Sequence, residues 1–336
     1  MRVSVIGAGI AGLTCALEFA VRGVAVEVLE RALRPEGSGC SWFAGGMLAP
    51  WCEQETSGAL IAQLGEESLA WWQTNFDGSV RNGTLVVAHA RDRAELQQFA
   101  RRTERFESLD AAALAALEPE LAARFSEALY FPDEGHLDPR AALSALAARL
   151  EALGVPIRRG AEAHAARLGG RAVIDCSGLA ARAQLPQLRG VKGEMLLVRL
   201  PQFSLARPVR VLHPRIPVYV VPRAAGLFMV GATLIESDEH TRISARSMLE
   251  LLSAAYALHP AFGEAEILEI GTGVRPAFPD NLPRLQWCGA TLHVNGLYRH
   301  GFLIAPALAR RVAQCVLEGR QFPEVMHEDP GQRRLA

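Results

Sequence analysis

Val3-Ser4-Val5-Ile6-Gly7-Ala8-Gly9-Ile10-Ala11-Gly12 opens the chain, and Val24-Ala25-Val26-Glu27-Val28-Leu29-Glu30-Arg31 follows after a helical stretch. The order reads as strand, glycine-rich turn, helix, second strand and acidic residue. Gly7 permits the tight turn, Gly9 lets the backbone approach a pyrophosphate, and Gly12 lets helix and strand pack closely. The helix start at Ile10 and Ala11 offers free N–H groups and a partial positive charge to phosphates. Glu30 lies 18 residues beyond Gly12, near the spacing at which a carboxylate accepts hydrogen bonds from ribose hydroxyls, and Arg31 adjoins it. A Rossmann-type unit binding an adenine dinucleotide is expected. A nucleotide-free Rossmann unit is the alternative.

The rest of the composition narrows the class. The 336 residues suggest two domains or two intertwined lobes. The 35 basic residues nearly balance the 36 acidic ones, so no electrostatic case exists for a nucleic acid or an anionic membrane. Charges break the apolar runs well short of the roughly 20 residues that span a bilayer. The glycine motif begins almost at Met1, so no cleaved signal peptide is expected. The six cysteines lack CxxC spacing, so no metal site is expected and reduced thiols in a cytoplasm fit best.

Strands and helices alternate without tandem repeats. Helices are expected over 10–22, 59–76, 92–103 and 110–117, and another runs from Pro139, capped by Asp138, to Leu153 before Gly154. Runs 155–159 and 172–176 should return to the first sheet. From about 191 to 231 the texture changes to consecutive strands (193–200, 209–213, 217–222, 227–231), which predicts an antiparallel sheet in a second layer. A helix near 244–258, strands near 265–273 and 291–295, and a helix over 303–318 complete the chain. The fold expected is α/β (α+β overall): a Rossmann-type cofactor domain (1–78, 133–190, 272–336) with an inserted antiparallel-sheet substrate domain (79–132, 191–271).

Three later segments bear on which dinucleotide binds. In the small-residue loop Cys40–Pro50, the backbone at Cys40, Ser41, Gly45, Gly46 and Met47 could reach a ring system extending from the pyrophosphate. Ser177 and Gly178 end a strand with small residues and permit close approach at the sheet's carboxyl edge. Tyr298-Arg299-His300-Gly301-Phe302-Leu303 opens the last helix. That second positive helix end suits negative charge developing on a flavin's pyrimidine side.

The chain resembles FAD-dependent oxidoreductases of the D-amino acid oxidase superfamily, and within it the glycine oxidases of thiamine biosynthesis. The resemblance rests on Ala44–Pro50, Tyr219-Val220-Val221-Pro222-Arg223, Gly231-Ala232-Thr233, Gly273-Val274-Arg275-Pro276 with Asp280 and Pro283, and Tyr298–Gly301 running into Ala305-Pro306. It implies FAD, oxidation of the carbon–nitrogen bond of a small amino acid, hydrolysis of the imine, and reduction of dioxygen to hydrogen peroxide. No cysteine stands in the Tyr298–Gly301 turn, so the FAD is expected to be noncovalent. Ala163 falls in a segment shorter than in larger relatives, next to where they hold the adenine. A dimer or tetramer is implied by the resemblance alone.

An amino acid substrate needs its carboxylate paired, because burying it alone is costly, and the planar fork of Arg pairs best. Arg275 is assigned as the carboxylate clamp, Tyr219 as a further hydrogen-bond donor to that carboxylate, and Arg299 as a support beside substrate and flavin. Strand alternation puts Tyr219 on the face of Val221, opposite Val218 and Val220. Met47 and His300 are candidates for the substrate pocket, His300 without a direct catalytic role and His136 with a structural one. Trp42 and Trp51 could narrow the pocket or merely cover the loop. With the amine entering neutral, hydride passes from the α-carbon to flavin N5 without an acid–base side chain. Substrates considered are glycine, sarcosine and small D-amino acids. A D-amino acid or proline-type dehydrogenase using another electron carrier is the alternative, and a flavin-dependent nucleic-acid modifier is disfavoured by the charge balance.

Overall fold

In the computed structural model, residues 1–37, 39–163, 168, 172–215 and 217–327 are described. The chain opens with β1 (Arg2–Ile6), α1 (Ile10–Ala20) and β2 (Ala25–Glu30). It continues through β3 (Met47–Leu48) and the long α2 (Pro50–Asn75) into β4 (Thr84–Ala88), α3 (Arg93–Arg102), β5 (Glu107–Asp110), α4 (Ala111–Leu117) and β6 (Glu127–Phe131). β7 (Gly135–His136), α5 (Pro139–Ala152), β8 (Ile157–Arg159) and β9 (Ala172–Asp175) come next. Then follow β10 (Arg189–Arg199), β11 (Val209–Leu212), β12 (Val218–Pro222), β13 (Leu227–Gly231), β14 (Ile235–Glu236), α6 (Ala245–Leu258) and β15 (Glu266–Ala277). The last elements are β16 (Arg284–Cys288), β17 (Thr291–Asn295) and α7 (Gly301–Glu318).

The first sheet has the order β16-β17-β9-β1-β2-β8. Every pair is parallel except β16 with β17. β1 is buried on both faces, as a central parallel strand covered by helices must be. Its neighbour α1 is buried almost all round, from Ile10 through Phe19, because it lies between this sheet and other helices. The returns of 155–159 and 172–176 to this sheet are observed, as β8 on β2 and β9 on β1. β16 carries no pattern noticed in the sequence; it is an edge strand held by β17.

The second sheet runs β14-β10-β13-β12-β11-β4-β6-β5, with β15 also paired to β10. It is not wholly antiparallel, because β4 and β11 are parallel. The physical reason is connectivity: adjacent hairpin strands must be antiparallel, whereas β4 and β11 are separated by a long excursion that can bring either direction. β10 and β15 run across positions 190 and 272. The two-part division given above is therefore proposed as a working description.

α2 is two helical stretches joined at Gly58 (φ +73°): the second, running to Asn75, is the helix expected over 59–76, and the first, opening at Pro50, was not expected. Proline at the first helical position was the start signal. The tryptophans then lock α2 to its neighbours. Trp71 Nε1 donates to Glu18 at 2.7 Å, and Trp72 Nε1 donates to the Phe302 carbonyl at 2.8 Å, with its ring stacked on Phe302. These contacts fix the start of α7 against α2, and so shape the cleft between the two sheets.

Candidate functional site

The glycine turn is built as its sequence requires. Gly7 has φ +97°, a left-handed conformation that only glycine adopts without strain. A Cβ on Gly12 would collide with the Gly7 carbonyl group, whose carbon would be 2.9 Å away. The turn closes where Glu30 Oε2 accepts from the Ala8 N–H at 2.7 Å and Oε1 from Ala32 at 2.8 Å. α1 begins at Gly9, which has no side chain to cap it, while Ser41 Oγ accepts from the Ile10 N–H at 3.2 Å. A Cβ on Gly301 would lie 3.3 Å from the Ile10 side chain, so the N-termini of α1 and α7 abut. Neither helix carries an acidic residue in its first turn. Two positive helix ends thus converge on one cleft.

That cleft encloses about 1450 Å³, part of it open to solvent. Its walls include Gly9, Ile10, Ala11, the loop residues Cys40, Ser41, Gly45, Gly46 and Met47, and the strand-end Gly178. Tyr298, Arg299, His300, Gly301, Phe302 and Leu303 close the other side. Gly7, Gly12, Glu30, Arg31, Ala163 and Ser177 do not line it. Gly7, Gly12 and Glu30 instead shape the turn, Arg31 is exposed, Ala163 lies past the Ala161–Glu30 backbone bond, and the Ser177 N–H is turned to Asp175. Most of the short segment between Gly160 and Ala172 falls outside the described residues.

The loop is braced from outside. Arg223 Nη2 donates to the Gly45 carbonyl at 2.6 Å; burial lowers this arginine's pKa to about 10. Arg140 makes a two-pronged pair with Glu269 at 2.7 and 2.8 Å while lying over the Trp42 ring. Trp51 stacks with Arg105. Neither tryptophan lines the cleft; Trp51 belongs instead to the apolar cluster around Val86, Phe99 and Phe131. His136 is also outside it, paired in β7 with Met47 and buried, which lowers its pKa to about 4.

Tyr219 packs with Val221, Met229, Met195 and Met47, whereas Val218 and Val220 belong to another core, as strand alternation predicts. Arg275 reaches the same space from β15. It lies over Gly193 of β10, where a Cβ would meet Nη1 at 2.5 Å and other guanidinium atoms nearer still. Its Nη1 donates to the Thr233 carbonyl at 3.2 Å, and among the described residues it has no carboxylate partner. Burial lowers its pKa, with Tyr219 opposing. Thr233 is itself tied by Oγ1 to buried Glu194 at 3.1 Å.

Arg299 is different. Its Nη2 lies 3.2 Å from Glu53 Oε1, which also takes Arg210 Nη1 at 3.1 Å. Glu53 Oε2 faces His300 Nε2 at 3.0 Å. Burial would raise the Glu53 pKa, but Arg299, Arg210 and His300 outweigh it and hold the carboxyl well below the usual range. Burial likewise works against Arg299, yet Glu53 raises its pKa. His300 is lowered chiefly by burial, with Glu53 opposing, and its Nδ1 has no partner among the described residues. Glu53, Arg210 and Gly193 were not found in the sequence. An acid in the first turn of a helix opened by proline, and an arginine within the apolar run of β11, were the available signals.

The model of the family described as FAD dependent oxidoreductase matches residues 2–315. The chain belongs to that family. It is 55% identical over 325 residues to the putative thiamine biosynthesis oxidoreductase ThiO of Rhizobium etli, covering 96% of this chain and 99% of that protein. It is 29% identical over 358 residues to the glycine oxidase of Geobacillus kaustophilus, covering 94% and 92%. The crystal structure of a glycine oxidase from that organism superposes with a TM-score of 0.80 at 24% identity, over 96% of both chains. The iminodiacetate oxidase of Chelativorans sp. gives a TM-score of 0.77 at 24% identity, over 95% of this chain and 96% of that one. The FAD dependent oxidoreductase family thus supplies the cofactor, and the cleft fits it. The glycines whose Cβ atoms would fill the turn, the two abutting helix ends and the small-residue loop form one continuous cradle. No helix among the described residues is long and apolar enough to cross a membrane.

Proposed function

We propose that this enzyme oxidises the carbon–nitrogen bond of glycine or another small amino acid or amine, such as sarcosine or a small D-amino acid. The imine hydrolyses to a keto acid and ammonia, and dioxygen takes the electrons to give hydrogen peroxide. A role in supplying thiamine thiazole synthesis follows from the likeness to ThiO. The observation that carries the reading is Arg275, a guanidinium facing the cleft with, among the described residues, only the Thr233 carbonyl on it. Such a group calls for an anionic ligand.

The backbone at Gly9, Ile10 and Ala11 would hold the pyrophosphate of noncovalent FAD, with Glu30 bracing that turn from behind through Ala8. The Cys40–Met47 loop and the start of α7 would flank the ring system. When bound, FAD supplies the two-electron oxidation. Arg275 pairs with the substrate carboxylate in two parallel hydrogen bonds, and Tyr219 offers its phenol to the same group. Met47 and the apolar face around Val221 exclude water from the α-carbon. Arg299 and His300, both engaged by Glu53, support the wall rather than clamp the substrate. No side chain is required to remove a proton when the amine enters neutral.

The test is an anaerobic titration with glycine, followed by the visible absorbance of the flavin. Bleaching followed by recovery in air supports the reading. A yellow protein that neither glycine, sarcosine, D-alanine nor D-proline bleaches would refute it; bleaching without recovery in air would replace the oxidase with a dehydrogenase.

A further inference from the structure

The cleft carries more positive charge than one substrate carboxylate needs. Arg210, Arg275 and Arg299 all line it, and Glu53 is the one acidic residue among its described lining side chains. The charge is unevenly neutralised. Among the described residues Arg275 has no carboxylate partner, while Glu53 is saturated: Oε1 receives Arg210 and Arg299 at 3.1 and 3.2 Å, and Oε2 faces His300 at 3.0 Å.

Glu53 is also rigidly presented. It sits in the first turn of α2, where the helix end favours an acidic side chain. The N–H of its neighbour Cys52 is held by buried Glu134 at 2.7 Å. Arg210, on β11, is fixed in turn, its guanidinium over the Phe99 ring of α3. A general base would need an oxygen free to face the substrate, and neither oxygen of Glu53 is free. The arrangement looks instead like a bound carboxylate: two guanidinium donors on one oxygen and an imidazole on the other, supplied by the protein itself.

We propose that Glu53 is an internal stand-in for a second substrate carboxylate. By occupying Arg210, Arg299 and His300 it restricts the pocket to substrates with a single carboxylate, which Arg275 takes. This rests on the reading of Arg275 as the carboxylate clamp given above. A dicarboxylic amino acid would find its second cationic partner already filled and would meet the like charge of Glu53 in a partly desolvated wall. Glu53 thus acts as a specificity determinant, and it positions Arg299 and His300 while doing so.

The test uses the holoenzyme with two unreactive ligands, acetate and malonate, each titrated against the visible spectrum of the flavin. Wild type should bind acetate at least as tightly as malonate. In Glu53→Gln, which keeps the shape but removes the charge that neutralises the two guanidinium groups, malonate should gain roughly ten- to a hundredfold relative to acetate, the yield of one charge-assisted hydrogen bond. Glu53→Ala should shift the preference the same way, and Glu53→Asp, which keeps the charge, should shift it least. An unchanged preference in the variants overturns the proposal. So does a wild-type enzyme that already binds malonate more than about tenfold tighter, a measurement that stands even if the variants fail to fold. If acetate does not bind wild type at all, the clamp reading falls and takes this one with it; normal acetate binding with an unaltered preference removes only the role of Glu53.

Discussion

Gly193→Ala should damage catalysis while sparing the fold. Gly193 of β10 and Gly273 of β15 are paired across the strands, and Arg275 lies diagonally on the same face. A methyl at 193 would stand 2.5 Å from Arg275 Nη1, and nearer to Nη2 and Cζ. Ordinary contact begins at 3.4 Å, so the guanidinium must withdraw by about an ångström or more. Because the obstacle is the far end of a flexible side chain and not backbone, it can move at little cost to stability. A displacement of about 1 Å in a positioning group costs on the order of 10²-fold in rate, or about 2.7 kcal/mol. We therefore expect kcat/KM for the amino acid to fall roughly a hundredfold, with FAD content unchanged and Tm within about 2 °C of wild type. The measurements are steady-state oxygen uptake, flavin absorbance per protein and a thermal melt. Unaltered kinetics would show that Arg275 is not the clamp, and a loss that merely tracks unfolding would show that Gly193 serves packing alone.

Three other outcomes follow from the same contacts. Arg275→Ala should raise KM, and the dissociation constant for acetate, by roughly 30-fold to a few thousandfold, the 2–5 kcal/mol range for a desolvated charge pair; flavin absorbance per protein should stay constant. Gly12→Ala sets a Cβ against the backbone carbonyl of Gly7, which cannot move aside cheaply; the purified protein should be pale and melt well below wild type. Glu134 is fully buried, and burial raises its pKa from 4.5 to about 7. The folded state therefore binds more protons than the unfolded one between those values, and stability falls as pH rises through about 4.5 to 7. Glu134→Gln, which mimics the protonated acid, should remove that decline. Urea titrations at pH 5 and pH 8 should then show a stability gap over wild type that widens at the higher pH; a constant gap would contradict the assignment.

The Rossmann unit was legible because its decisive contacts are made by the backbone of contiguous residues. Gly7, Gly9 and Gly12 act through φ and through the absence of a side chain, so their spacing alone carries the geometry. Asp138-Pro139 announced α5 for the same reason: the aspartate accepts from the N–H groups of Arg140 and Ala141 just ahead of it. The alternation in β12 likewise placed Tyr219 correctly against Val221. Longer-range pairing was not readable. The parallel partnership of β4 and β11 joins segments with no hairpin between them, and the helical stretch from Pro50 to the break at Gly58 was not read, although the helix beyond Gly58 was.

The sequence by itself determined a dinucleotide cradle, an α/β framework and a short set of arginines and aromatic residues suited to an amino acid. Tertiary structure decided how the charge on each of those arginines is balanced. Arg275 and Arg299 are the same residue type and both line the cleft, and the charged groups that face them come from distant segments. Glu53, brought from the start of α2, neutralises Arg299 together with Arg210, while Gly193 makes room for Arg275 and leaves its charge without a carboxylate. Backbone geometry is encoded locally, but a side chain's charge balance is set by whichever groups the fold packs against it, and those come from anywhere in the chain.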